Sequence, residues 1–205
     1  MALIGEQLDA GFPRRIAEGF PGVFTEDIDA VAVWPDGGPY EGKAYFFKGD
    51  QYTRFDVAAG RADPGYPRAI AGGGWPGLFD RDIDAVCVWP RGTPYEGKAY
   101  FFRGDEYLRY DVAADRADPG YPARIAGGNW PGLFPEGGVD AACAWPEGTP
   151  YAGKVYFFRG GEYARFCSAT DRTDAGYPRP IEGAWGGLST RIWTSKVSAL
   201  NYIYI

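Results

Sequence analysis

Apolar runs alternate along the chain with short stretches of glycine, proline and charge. The segment Ile28-Asp29-Ala30-Val31-Ala32-Val33-Trp34 is valine-rich, carries a single charge and stops at Pro35, so it predicts a strand buried on both faces. The stretch 36–42 is rich in glycine and proline and reads as a loop. Lys43-Ala44-Tyr45-Phe46-Phe47 predicts an aromatic strand, and Lys48-Gly49-Asp50 a tight turn with Gly49 at the position that needs positive φ. Gln51-Tyr52-Thr53-Arg54-Phe55-Asp56 alternates with period two and pairs back as a hairpin. Arg61 to Pro67 predicts a short outer strand and turn. Ile70 to Phe79 is too glycine-rich for a long helix, and predicts a packed loop or a single helical turn.

This order recurs three times with a period of about fifty-five residues. The inner run returns as Ile83-Asp84-Ala85-Val86-Cys87-Val88-Trp89 and as Val139-Asp140-Ala141-Ala142-Cys143-Ala144-Trp145. The modules span about 28–82, 83–138 and 139–188. A unit this small cannot bury its own apolar faces, so the copies must stack on one another. About four strands per module, arranged radially, predict an all-β propeller. Residues 9–24 match only the end of a module, and 189–205 lack both the Asp-Ala start and the Tyr-Phe-Phe hairpin. A fourth blade, shortened or completed from both chain ends (1–27 and 189–205), is therefore expected. The strand-prone Asn201-Tyr202-Ile203-Tyr204-Ile205 would supply its inner strand. Closure in this way gives a monomer; an edge left open and completed by a second chain gives a homodimer.

Composition narrows the function classes. Aromatic residues at 17% and hydrophobic residues at 45%, against 23% charged, fit a globular β protein rather than a disordered chain. The net charge of −6 comes without any basic cluster, which argues against nucleic acid and mildly favours cationic ligands. Histidine is absent, which removes most catalytic triads, most zinc sites and His-ligated haem. The three glycines at 72–74 lack the Lys-Ser/Thr of a phosphate loop, and no serine sits in a nucleophile elbow, so catalysis is not expected. No signal peptide or membrane-length apolar run is visible, which predicts a cytoplasmic protein or one released by another route, with no membrane partner. Cys87 and Cys143 share one repeat position and read as small buried hydrophobes. Cys167 replaces Asp56 and Asp111 of the sister copies. It is expected to be more exposed and reactive, with no base beside it.

The pattern [Ile/Val]-Asp-Ala, then Gly-Lys-x-Tyr-Phe-Phe-[Lys/Arg]-Gly, then Tyr-x-Arg-[Phe/Tyr], then Gly-Tyr-Pro and Trp-Pro-Gly-Leu resembles the hemopexin repeat. Its central part is met at Gly42–Arg54, Gly97–Arg109 and Gly153–Arg165. The resemblance implies a four-bladed propeller around a narrow axial channel, with cations and chloride held there by main-chain atoms.

The residues themselves point to the same place. On an inner strand, Asp29 and Val31, Asp84 and Val86, and Asp140 and Ala142 would present equivalent groups to a shared axis. A ring of carbonyl oxygens suits Ca²⁺ or Na⁺, and a ring of N–H groups suits Cl⁻. The aspartate side chains could equally brace neighbouring blades. The resemblance also suggests a polyamine as a small cationic ligand, and docking to a protein partner or larger assembly. Haem is disfavoured without histidine. Arg54, Arg109 and Arg165 recur once per module and are expected to pair structurally with nearby aspartates.

Overall fold

The structure, a computed structural model, describes residues 14–34, 38–72, 74–145 and 148–184. Each module folds into one antiparallel sheet. The first sheet holds β1 (Ala30–Val33), β2 (Lys43–Lys48), β3 (Gln51–Asp56), β4 (Arg61–Ala62) and β5 (Arg68–Ala69). The second holds β6 (Ala85–Val88), β7 (Lys98–Arg103), β8 (Glu106–Asp111), β9 (Arg116–Ala117) and β10 (Ala123–Arg124). The third holds β11 (Ala141–Ala144), β12 (Lys154–Arg159), β13 (Glu162–Cys167), β14 (Arg172–Thr173) and β15 (Arg179–Pro180). The modules run as expected: Val31 opposes Phe46, Phe46 opposes Thr53, and Phe55 opposes Ala62. Gly49 opens the two-residue hairpin turn at φ 55°, a conformation that an L side chain resists.

The outer edge differs from the expected single strand. β4 pairs with the end of β3 and β5 with its beginning, so the outer strand is split in two. Pro64 and Pro67 lie in the gap and offer no N–H to a ladder, while the Asp63 N–H still reaches the Arg54 carbonyl at 2.8 Å. The second and third sheets repeat the split. Such short edge pieces give a second chain little to pair with.

The sheets meet face to face through aromatic residues. Ala30, Ala32, Trp34, Tyr45 and Phe47 of the first sheet share one buried cluster with Val86, Phe101, Leu108 and Tyr110 of the second. Trp75 is the wedge between them, with ring contacts to Trp34, Tyr45, Phe47 and Tyr52 on one side and to Phe101 and Tyr110 on the other. Trp130 does the same between the second and third sheets, touching Tyr100, Phe102 and Tyr107, then Phe157 and Phe166. The residue after each wedge clamps the next blade: the Pro76 carbonyl accepts the Ala117 N–H, and the Pro131 carbonyl the Thr173 N–H, both at 2.9 Å.

The partial module before the first blade behaves as its sequence implies. A four-residue helix, α1 (Ile16–Gly19), leads into Phe20, which packs on Phe46 and Phe55. The Pro21 carbonyl accepts the Ala62 N–H at 2.9 Å, as Pro76 and Pro131 do on their blades. Residues 14–24 are thus the end of a module laid against the first blade. Of the expected fourth blade (1–27 and 189–205), residues 1–13 and 189–205 lie outside the described residues. The stretch Ile70 to Phe79 forms turns and a packed loop where it is described, with no helix. No helix among the described residues is long and apolar enough to cross a membrane.

Candidate functional site

The site residues expected from the sequence lie on the inner strands and one step before them. β1, β6 and β11 each stand at the edge of their sheet, and β6 neighbours both β1 and β11. The Trp34 N–H donates to the Lys43 carbonyl at 3.2 Å, which fixes the register of the hydrogen-bonded pairs. In an antiparallel ladder such pairs alternate. Ala30 and Ala32 therefore turn their main-chain groups to β2, and Val31 turns its groups to the open edge. Trp89 to Lys98 (3.2 Å) and Trp145 to Lys154 (3.1 Å) set the same phase for Val86 and Ala142. Three equivalent residues thus face the shared inner side with main-chain N–H and C=O groups outside the ladders. Val31 and Ala142 are half-buried and Val86 is buried.

The aspartates sit one step before these strands. The Asp29 carboxylate accepts the Gly49 N–H at 2.7 Å, and Asp84 and Asp140 accept Gly104 and Gly160 at the same distance. Each therefore caps the hairpin of its own blade. The Asp29 N–H donates to Phe47, and those of Asp84 and Asp140 to Phe102 and Phe158, at 2.8–2.9 Å. Among the described residues, no three Asp, Glu, Cys or His side chains gather closely enough to hold a metal. The donors that fit a hard cation are main-chain carbonyls of the inner strands.

A second set of polar residues recurs on each blade. Lys43 bonds Asp56 at 2.7 Å and Asp63 at 3.1 Å, and Arg54 also holds Asp63. Lys98, Asp111, Asp118 and Arg109 repeat this arrangement. In the third blade Lys154 and Arg165 hold Asp174, at 2.9 and 2.6 Å, and Cys167 stands in place of the outer aspartate. Burial opposes ionisation of Asp63, Asp118 and Asp174, but the two cations on each outweigh it and keep the carboxyls below their ordinary range. The arginine series is therefore structural, as its spacing suggests. Arg54, Arg109 and Arg165 also lie over the rings of Tyr66, Tyr121 and Tyr177.

The structure also brings together residues that sequence spacing could not. Tyr40 donates its hydroxyl to Asp115 of the next blade, and Tyr95 to Asp171 of the one after. Asp115 and Asp171 hold left-handed backbone (φ 53° and 50°) at the position that Gly60 fills in the first module. A non-glycine residue repeated at a turn glycine's position was the available signal. Cys87 is buried as expected, while Cys143 is half-buried.

Stacked antiparallel blades, with their inner strands side by side, define a β-propeller module of the binding or interaction class. Hemopexin repeats match the chain at residues 28–78, 83–133 and 139–190, and the chain belongs to the hemopexin family. It is 32% identical over 184 residues to stromelysin-3 of Xenopus laevis, covering 90% of this chain and 33% of that protein. It is 33% identical over 144 residues to matrix metalloproteinase-21 of the same species, covering 67% of this chain and 22% of that protein. The chain thus spans a third or less of the length of these curated relatives. A hemopexin-fold protein from cow pea, CP4, superposes with a TM-score of 0.62 at 26% identity, covering 84% of this chain and 77% of that one. The matched segments are hemopexin repeats and not a catalytic domain.

Proposed function

We propose that the chain is a non-catalytic binding module whose interior axis holds a hard cation, Ca²⁺ or Na⁺, through main-chain carbonyls of the inner strands. Val31, Val86 and Ala142 are the principal donors, and Asp29, Asp84 and Asp140 position them. The observation that carries this reading is the shared phase of the three strands, which turns equivalent main-chain groups out of every ladder. The cation would neutralise converging carbonyl dipoles and tie the blades together. Chloride fits the N–H groups of the same edges, and a small cationic ligand such as a polyamine fits the acidic balance of the chain. Ligand or protein binding on this axis or on a blade face, rather than chemistry, is the module's role.

The test is thermal unfolding of gently desalted protein in EDTA and with Ca²⁺ or Na⁺ added, alongside native mass spectrometry. A ligand at a hundred times its Kd stabilises by about 2.7 kcal/mol. A rise in Tm with one bound ion per chain is expected, and Asp84→Asn, which loosens β6, should weaken it. Unchanged unfolding together with an ion-free mass would refute the axial reading.

A further inference from the structure

The ion network of the third blade is missing one anion, and a cysteine fills the gap. Lys154 and Cys167 oppose each other directly across β12 and β13, and Cys167 opposes Arg172 across β13 and β14. The Ser168 N–H donates to the Gly153 carbonyl at 3.0 Å, so Lys154 and Cys167 form a non-hydrogen-bonded pair, in which facing side chains approach closest. The sister blades show what this pocket holds. Asp56 places one oxygen on Lys43 at 2.7 Å and the other on the Ala59 N–H at 2.8 Å. Asp111 does the same with Lys98 and the Ala114 N–H, both at 2.8 Å. Two blades of three thus seat a two-oxygen anion between a lysine and a turn N–H. The third keeps the lysine, has the Thr170 N–H at the turn position, and offers one sulfur.

We propose that Cys167 is a peroxide-dependent modification site, and that its sulfinate occupies the third blade's carboxylate pocket as Asp56 and Asp111 occupy theirs. The thiolate sulfur attacks one peroxide oxygen; an S–O bond forms, the O–O bond breaks, and the departing hydroxide takes a proton to become water. The sulfur loses two electrons and the peroxide gains them. A second peroxide repeats the step and gives the sulfinate, whose two oxygens match the two donors. Neighbouring groups favour the starting thiolate. Burial pushes the thiol up, but hydrogen bonds from Thr170 and Lys154, and from the turn N–H groups of Thr170 and Ala169, bring it down to about 7. Asp174 is the nearby anion, and Lys154 and Arg165 neutralise it. Cys87 is sealed in the core at 1% exposure, with its thiol pushed well up by burial.

The test is a titration of the full chain with hydrogen peroxide at pH 7, followed by peptide mass spectrometry and thermal unfolding. A plateau at two added oxygens on Cys167, with Cys87 unmodified, is expected. The oxidised protein should melt higher than the reduced one and approach Cys167→Asp, which carries the carboxylate permanently. Lys154→Ala should slow oxidation at pH 7 by roughly two- to fivefold, because less thiolate is present and its greater nucleophilicity offsets only part of the loss. Folding of that variant can be checked by its circular dichroism, and Lys154→Arg, which keeps the charge, should restore most of the rate. The proposal is overturned by oxidation that runs on to the sulfonate without a plateau, by a melting point that falls on oxidation, by a Cys167→Asp variant no more stable than the parent, or by a Lys154→Ala variant that oxidises as fast.

Discussion

Gly77 is where the Trp-Pro-Gly-Leu signature meets the next blade. Its φ is 79°, and a Cβ built on it would lie 2.9 Å from the Ala117 Cβ of β9. Gly97 has nearly the same backbone, φ 78°, with nothing within 4 Å of its Cβ position. The two glycines separate conformational cost from steric cost. Alanine in left-handed backbone costs about 1–2 kcal/mol, which both substitutions share. Gly77→Ala adds the clash with a methyl that has no rotamer to move to, and overpacking of this kind costs about 1–3 kcal/mol. Gly97→Ala should therefore lose about 1–2 kcal/mol and Gly77→Ala about 2–5 kcal/mol. For a chain of this size the extra loss corresponds to roughly 2–12 °C in Tm. Urea unfolding at constant m-value measures the difference. Ala117→Gly in the Gly77→Ala background should return the steric part, seen as a favourable coupling in the double-mutant cycle. Equal losses for the two alanine variants, or no coupling with Ala117→Gly, would show that Gly77 does not serve the joint between blades.

The hydroxyl contacts between blades can be tested with Tyr95→Phe, which should cost about 1 kcal/mol by losing the bond to Asp171. Burial first, then that bond, raises the Tyr95 phenol, so its contribution is complete below the ordinary phenol range and is lost as pH rises through the raised folded value. The alkaline limb of a stability–pH curve should therefore flatten in Tyr95→Phe, and an unchanged limb would refute the role. Asp118→Asn removes the anion shared by Lys98 and Arg109, and about 1–2 kcal/mol should go, held low because the Arg109 side chain remains 37% open to water. The depressed Asp118 carboxyl contributes in full above its ordinary range and loses that contribution as pH falls through its folded value. The variant should show a shallower acid limb by circular dichroism, and a limb of parental slope would refute the pairing.

Much of a single blade was legible in the chain. The valine run fixes β1, the alternation Gln51 to Asp56 fixes β3, and Gly49 fixes the turn between its neighbours, because strand period and turn chemistry are local properties. The once-per-module arginines found their aspartates for the same reason, since Arg54 and Asp63 lie only nine residues apart. The split of the outer strand was less legible, although Pro64 and Pro67 carry its cause. For Cys167 the replacement of aspartate was visible, but the facing Lys154 and Arg172 appeared only with the strand register.

The sequence by itself determined the blade, its repetition and the module end that precedes the first copy, because each rests on periodicity within one unit. The tertiary structure decided what joins the units. Tyr40 reaches Asp115 across 75 positions, Trp75 sits between two sheets, and the Asp29 carboxylate accepts from the hairpin of its own blade. These contacts depend on how one twisted sheet is rotated against the next, and that rotation is set by packing of the whole aromatic interface rather than by any local pattern.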